Sequence, residues 1–364
     1  MFKYAWRLYY WFRTDVFAVP GRVIAAMFIL ALVVIPMITT DLYILRILTF
    51  AGIFAIYASS WDLLSGVAGQ LSLGHALFFG VGAYVSALVN IHFGLSPWLT
   101  VPIGAIVAVM VGLLVGLPAL RLRGFYLGLV TFTFPLILNG ILFLFPDVTG
   151  GELGLYGLKG LSGSKIFDYW IVNTVMLCSV FVMWKLADAG SKIIKFGLIL
   201  QAIREDEITA RTSGIDTTRY KLVAFALSGF FGGIAGGLYA HFIRSAGPTT
   251  LDLFFSIQVI LWTVFGGIGT IYGAVVGVYI LYILIELLSL SGGLLSEIRM
   301  VVSSLILIFT LLFMPEGLSV WVRDKIEITC PRCKLINSVT RRYCRACGAP
   351  LHLDEQRSKE QGEG

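Results

Sequence analysis

The chain has 364 residues, of which 58% are hydrophobic and only 13% charged, with a mean hydropathy of +0.88 and a formal net charge of +6. Soluble domains carry about 25% charged residues, so this composition excludes an ordinary water-soluble enzyme or binding domain and makes lipid the solvent. The charges are unevenly spread as well as scarce: residues 63–120 and 253–285 contain no Asp, Glu, Lys or Arg.

An N-terminal segment, 1–22, comes first and carries Trp6, Tyr9, Tyr10 and Trp11 among Lys3, Arg7 and Arg13. It is too long and too aromatic for the n-region of a cleaved signal. Rings and snorkelling cations suit the headgroup layer, which predicts an interfacial helix over 3–17. Beyond it, a hydrocarbon core about 30 Å thick takes roughly 20 apolar residues per helix. The charge-poor segments then predict ten spans, at 23–40, 42–64, 76–92, 98–118, 125–145, 168–186, 222–243, 254–271, 273–291 and 299–315, and hence an all-α polytopic membrane protein.

The first long charge-free run must fold back on itself, with breaks expected at Gly66 to Gly69 and at Gly94 to Pro97. Gln70, Ser72 and His75 follow the second span. Polar groups at membrane depth are costly and tend to face the bundle interior or a water-filled path. These three are therefore candidates for the translocation pathway, with Tyr126 and Thr131 of the fifth span beside them. His75 has two readings, a satisfied interhelical hydrogen bond or a proton relay, and the absence of a charged neighbour favours the first. Glu286 is the one carboxylate inside a late span, and it falls near the outer interface.

An outer loop, 146–167, is rich in glycine. The loop 187–221 is polar, and within it the spacing predicts a short helix over 198–213, with Leu198, Ile199, Ala202 and Ile203 on its apolar side. Glu207 and Arg211 form an i,i+4 pair, and Gly214 ends the helix as a C′ residue. Such a helix either docks into a soluble partner or is a solvated connector. Only Gly266 to Gly273 separates the eighth and ninth spans, where a re-entrant or broken helix is the alternative. The glycines Gly66, Gly69, Gly74 and Gly80 are echoed by Gly266, Gly269, Gly273 and Gly277. Such pairing can mark a pathway at a repeat interface, although chance matches are common in a chain with 40 glycines.

A composition break near 320 separates the membrane domain, 23–318, from a tail, 319–364. Two CxxC knuckles, Cys330 with Cys333 and Cys344 with Cys347, define a zinc ribbon over 328–352. Four thiolates at this spacing close a tetrahedron around zinc, or around iron as the alternative. Since sulfur fills every position, the metal is structural, and Gly348 supplies the tight turn of a knuckle. Arg332, Lys334, Arg341, Arg342 and Arg345 would suit nucleic acid. Tethering to the membrane favours a solvated face or contact with anionic lipid headgroups instead.

Ten spans place both termini on one side. Of the 27 Lys and Arg, 22 then fall on that side, which the positive-inside rule makes cytoplasmic; the location is the plasma membrane, and the disulfide reading of the four cysteines fails in a reducing compartment. With no HExxH and no GxxxxGK[ST] loop, the chain cannot hydrolyse ATP, so it is no enzyme and binds no nucleotide. Any ATP-driven engine must be another polypeptide.

Five blocks together carry a resemblance: Ser65 to Tyr84, Arg121 to Leu127, Thr149 to Gly151, Ala202 to Ile215 and Gly266 to Gly273. In this order, across about 40–318, they resemble the branched-chain amino acid ABC transporter permeases, M-type subunit. The resemblance implies an importer built from two homologous permeases, two cytoplasmic ATP-binding subunits and an extracytoplasmic solute-binding protein. It implies that the 198–213 helix is the ATPase-coupling element, with Arg204, Glu205, Asp206 and Glu207 as its polar contacts and Gly214 setting its exit angle. Related permeases carry urea or short amides, so that substrate class stays open. The zinc ribbon and the aromatic N-terminus depart from the family pattern. Two readings of other classes remain: a membrane-anchored zinc-ribbon scaffold without transport, and an ATP-independent channel or secondary transporter.

Overall fold

A computed structural model describes residues 20–39, 41–120, 122, 124–188, 195–290, 297–333, 336–344 and 346–351. The expected interfacial helix over 3–17, and Arg121 and Arg123, lie outside them. The chain divides into two compact units, one of residues 41–318 and one drawn from residues 1–40 and 319–364.

In the larger unit, α1 is Leu42–Trp61, entered through Asp41, whose carboxylate accepts from the Tyr43 amide at 2.9 Å. It continues as a π-turn, Asp62–Val67, before the chain breaks at Gly69, where φ is +68°. Next come α2 (Ala76–Phe93), α3 (Pro97–Ala119), α4 (Phe125–Leu144) and α5 (Lys165–Ala187). The second break, at Gly94 to Pro97, has Gly94 in the left-handed conformation and Pro97 in the first turn of α3. Two short helices, α6 (Phe196–Glu205) and α7 (Glu207–Thr212), occupy the polar loop. They are followed by α8 (Thr217–Ile243), α9 (Leu253–Gly266), α10 (Ile271–Leu290) and α11 (Arg299–Phe313).

Seven helices among the described residues are long and apolar enough to cross a membrane, and three shorter apolar ones stand at 23–38, 253–266 and 301–310. Each of the ten expected segments thus contains a helix, seven of them long enough to cross a membrane. At 1.5 Å per residue, the 14 residues of α9 extend about 21 Å, short of a 30 Å core. The break after it, at Gly267 with φ +125°, accounts for the weak separation of the eighth and ninth segments. The protein is a multi-pass membrane protein.

Helix α1 is the central element, with every residue from Ile47 to Trp61 buried. It packs against α5, α10 and α8, while α8 runs along α2 and α3. Close approach of backbones sets this arrangement: a Cβ at Gly82 would lie 2.2 Å from the Gly233 carbonyl oxygen of α8, and a Cβ at Gly233 would lie 2.8 Å from Ala105 Cα of α3, so each contact requires a position without a side chain. On the far side from the π-turn, a two-residue ladder pairs Leu155–Tyr156 with Ser245–Ala246. His241 locks the same region. Its Nδ1 is 2.8 Å from the Lys159 carbonyl and must donate, so Nε2 accepts from the Thr100 hydroxyl at 2.7 Å, while the Ser86 hydroxyl, 2.9 Å from Nε2, donates to Thr100 Oγ1 at 3.0 Å.

The smaller unit contains the apolar helix Pro20–Ile38, the helix Leu318–Ile326 from Ser319 onward, and an antiparallel hairpin of Glu327–Thr329 with Ile336–Ser338. The Gly21 amide donates to Glu327 Oε1 at 2.9 Å, so the first apolar helix is joined to the tail rather than grouped with residues 41–318.

Candidate functional site

The predicted helix over 198–213 is two helices. Asp206 interrupts it in an extended conformation and caps α7, accepting from the Ile208 amide at 2.8 Å, the Thr209 amide at 3.2 Å and the Thr209 hydroxyl at 2.6 Å. Those donors, the Thr209 hydroxyl first, hold the Asp206 carboxyl below its ordinary value. Gly214, at φ +84°, ends α7: its amide meets the Arg211 carbonyl, and the Ile215 amide reaches back to that of Ala210. This is the six-to-one bonding of a Schellman cap.

The inward side also differs from the expected one. Gly197, Leu200 and Ile203 of α6 and Ala210 of α7 are buried, whereas Leu198 is 50% and Ile208 64% exposed, with Ala202 and Glu205 exposed beside them. The apolar arc of α6 is wide, running from Leu198 through Ile199 and Ile203 to Leu200, and only its Ile203–Leu200 end packs, so periodicity did not say which part of the arc is buried. Glu207 faces the bundle. Its Oε2 pairs with Lys221 Nζ at 2.8 Å, with the Lys221 side chain only 5% exposed, and its Oε1 meets Arg211 at 3.0 Å and the Thr217 hydroxyl at 3.3 Å. The pair thereby fastens α7 to the foot of α8.

Arg204 reaches inward. Its guanidinium donates to the Gly66 carbonyl, and its stem fills space beside Gly69, where a Cβ would lie 2.9 Å from Arg204 Cγ. Asp62 is fully buried next to it, and its Oδ1 accepts from the Gly269 amide at 2.7 Å. Sequence reasoning passed over Asp62; its position as the last carboxylate before the 58-residue charge-free run was the available signal.

The polar residues of the glycine-rich segment serve neighbouring backbone. Gln70 is buried and donates to the Ala68 carbonyl at 3.1 Å; the Ser72 amide donates to Ser65 Oγ at 3.1 Å, and the Ser72 carbonyl accepts from Trp61 Nε1 at 2.7 Å. Thr131 is buried too, its Oγ1 accepting from the Leu73 amide at 3.1 Å and donating to the Gly128 carbonyl at 2.8 Å. His75 Nε2 is 2.9 Å from Ser60 Oγ, and its Nδ1 is buried with no partner among the described residues. Tyr126 is 69% exposed, on the outer surface of its helix, and is not brought to the others. Glu286 accepts from the Tyr43 hydroxyl at 3.2 Å.

In the smaller unit the sulfur atoms of Cys330, Cys333, Cys344 and Cys347 all lie within 4.8 Å of one another, with 3.6 Å between Cys330 and Cys347 and 3.5 Å between Cys333 and Cys344. A tetrahedral ion with bonds of about 2.3 Å needs sulfur separations of about 3.8 Å, so the set fits a metal ion. Backbone N–H groups of Cys347 and Ala346 draw the Cys344 thiol down to about 6, and those of Cys333 and Arg332 lower that of Cys330. The thiolate, which is the ligating form, is thereby favoured. Gly348 turns at φ +67°, and its amide donates to the Cys344 carbonyl at 3.1 Å.

Residues 43–311 match a family model described as "Branched-chain amino acid transport system / permease component". Among curated relatives, the chain is 30% identical over 311 residues to the high-affinity branched-chain amino acid transport system permease protein LivM of Escherichia coli (strain K12), covering 78% of this chain and 71% of that one. It is 30% identical over 252 residues to a probable branched-chain amino acid transport permease protein LivH of Methanocaldococcus jannaschii, covering 66% and 79%. A ribose import permease protein RbsC of Haemophilus influenzae is 26% identical over 291 residues, covering 77% and 88%.

Proposed function

The chain belongs to the family of branched-chain amino acid transport permease components, and from that premise we propose that it forms half of the membrane pathway of an ATP-driven importer of branched-chain amino acids. Its partners are a homologous second permease subunit, two cytoplasmic ATP-binding subunits that hydrolyse the ATP, and an extracytoplasmic solute-binding protein. Both termini are cytoplasmic, following the distribution of basic residues. The four tail cysteines hold zinc as a structural ion.

One observation carries the reading: the α6–α7 pair is anchored by Leu200, Ile203, Ala210 and the Glu207–Lys221 ion pair, yet leaves Leu198, Ala202, Glu205 and Ile208 exposed. A rigid, mixed apolar and acidic face is what a soluble partner needs if its motion is to reach the bundle. Closure of the ATP-binding subunits pushes this face, and the bundle alternates between outward and inward openings. Gln70, Ser72, His75 and Thr131 line or support the path, with Gln70, Ser72 and Thr131 holding the broken segment after the π-turn through backbone contacts and His75 meeting the Ser60 hydroxyl.

The test is purification of the complex in mild detergent, followed by reconstitution with an external binding protein. ATP-binding subunits should accompany the chain, and leucine uptake should require ATP. Ile208→Asp should remove the ATP-binding subunits from the purified complex. Uptake without ATP or partner chains would replace this reading with a channel or secondary transporter.

A further inference from the structure

Two glycine turns that are distant in sequence, 66–69 and 267–269, meet beside α6. A Cβ at Gly66 would lie 2.6 Å from the Gly269 amide nitrogen, and Asp62 Oδ1 bonds that same amide at 2.7 Å. One side chain from outside the membrane helices fills the seam. The Arg204 guanidinium donates to the Gly66 carbonyl, lies 2.8 Å from where a Gly269 Cβ would stand, and is the charge that acts on the Asp62 carboxyl. Asp62 itself is only half satisfied: Oδ2 is buried without a hydrogen-bond partner among the described residues. A buried carboxylate oxygen left unpaired in a native structure calls for an explanation. A neighbouring fork of five donors that spends one on the Gly66 carbonyl supplies it.

We propose that Arg204 is a positioning residue which carries movement of the α6–α7 pair into the membrane helices, its guanidinium bridging the two glycine turns and taking Asp62 Oδ2 as a second acceptor when the pair shifts. The proposal rests on the reading of this chain as an ATP-driven permease. Arg204 is exposed as a residue, but its guanidinium is turned to the Gly66 carbonyl rather than set among Leu198, Ala202, Glu205 and Ile208, so docking and transmission are separable. A packed seam with two alternative acceptors is bistable rather than continuously deformable, which is how small displacements become discrete changes of state. The turn 66–69 continues α1, and the turn 267–269 joins α9 to α10, so one guanidinium contacts both sides of the central helix packing. Lysine cannot replace it, because a point charge on a flexible stem lacks the planar fork needed for two acceptors.

The test uses the reconstituted complex and reads leucine taken up per ATP hydrolysed. Wild type fixes the reference; if wild type shows no ATP-dependent uptake, the permease reading fails before any variant is compared, and this inference falls with it. Arg204→Gln should lower the ratio at least tenfold while the complex still assembles, and Arg204→Lys should fall short of full rescue. Asp62→Asn should lower the ratio, and Asp62→Asn combined with Arg204→Gln should be no worse than Arg204→Gln alone, because the two act through one contact. A merely structural role would reduce uptake and hydrolysis in proportion, leaving the ratio unchanged. That result, or effects that multiply in the double variant, would overturn the proposal.

Discussion

Removing the Glu207 carboxylate is the sharpest test of how the cytoplasmic helix pair is held. Two cations meet it. Arg211, 57% exposed at the side chain, contributes only the few tenths of a kcal/mol of a helix-surface pair. Lys221 is different: at 5% exposure, it loses its only ion-pair partner among the described residues in Glu207→Gln. Breaking a fully buried pair from one side costs about 3–5 kcal/mol. Because Glu207 retains 15% exposure and a lysine stem can lift its amine toward water, the cost here is about 2 kcal/mol. This loss is local to the junction of α7 with α8, so the measurement is amide hydrogen exchange over 207–217 in the detergent-solubilised protein. At 1.4 kcal/mol per tenfold, exchange limited by local opening should accelerate about 30-fold. Glu207→Gln with Lys221→Met removes both charges and should recover most of the protection. Unchanged exchange in the single variant, or a double variant as labile as the single, would refute the anchoring role of the pair.

Three other predictions address separate parts of the molecule. Elemental analysis should find one zinc per chain, and Cys333→Ser with Cys344→Ser should abolish it while residues 41–318 keep their thermal midpoint. Gly214→Val, which meets no neighbour within 4 Å but forces a β-branched residue to φ +84°, should destabilise the end of α7 by about 1–2 kcal/mol, read as faster amide exchange at 213–216. Gly82→Val drives a side chain into the Gly233 carbonyl, 2.2 Å from the new Cβ, and should abolish the folded monodisperse protein seen by size-exclusion chromatography, whereas Gly140→Ala, with nothing within 4 Å, should not.

The membrane helices were legible because lipid allows only segments that satisfy their own backbone, and that constraint writes itself as charge-free length. The breaks at Gly69, Gly94 and Pro97 and the end at Gly214 were legible for a related reason: a left-handed φ or a missing N–H restricts the residue type locally. The interruption at Asp206 was hidden. Residues 198–213 read as one amphipathic helix, and the competing signal, an aspartate able to cap the amides of Ile208 and Thr209, has the same local form as a charged surface residue. The packed face of α6 was hidden because its apolar arc, Leu198 through Ile203 to Leu200, is wider than the part that packs. The grouping of the first apolar helix with the tail depends on contacts such as Gly21 with Glu327, 306 residues apart, which leave no periodicity in the sequence.

The glycine echo shows what a sequence pattern can and cannot say about such contacts. Gly66 and Gly269 belong to opposite halves of the chain, and they lack side chains for different reasons: a Cβ on the first would collide with Asp62 Oδ1 and with the amide of the second, whereas Gly269 has φ +78° and a Cβ there would meet the Arg204 guanidinium at 2.8 Å. That amide then needs an acceptor, because the Gly267–Gly269 turn has left the helix that would have provided a carbonyl, and Asp62 supplies one. A carboxylate is a costly acceptor at the membrane boundary and is tolerable only near a positive charge. None exists within the 58 residues that follow Asp62. The cation has to enter from the polar loop, and Arg204, at the C-terminal end of α6 and anchored by Leu200 and Ile203, is the residue that does so. The loop helix is therefore part of the membrane core's own hydrogen bonding on one side while its other side remains open, and any force on the open side must act on the seam between the two glycine turns.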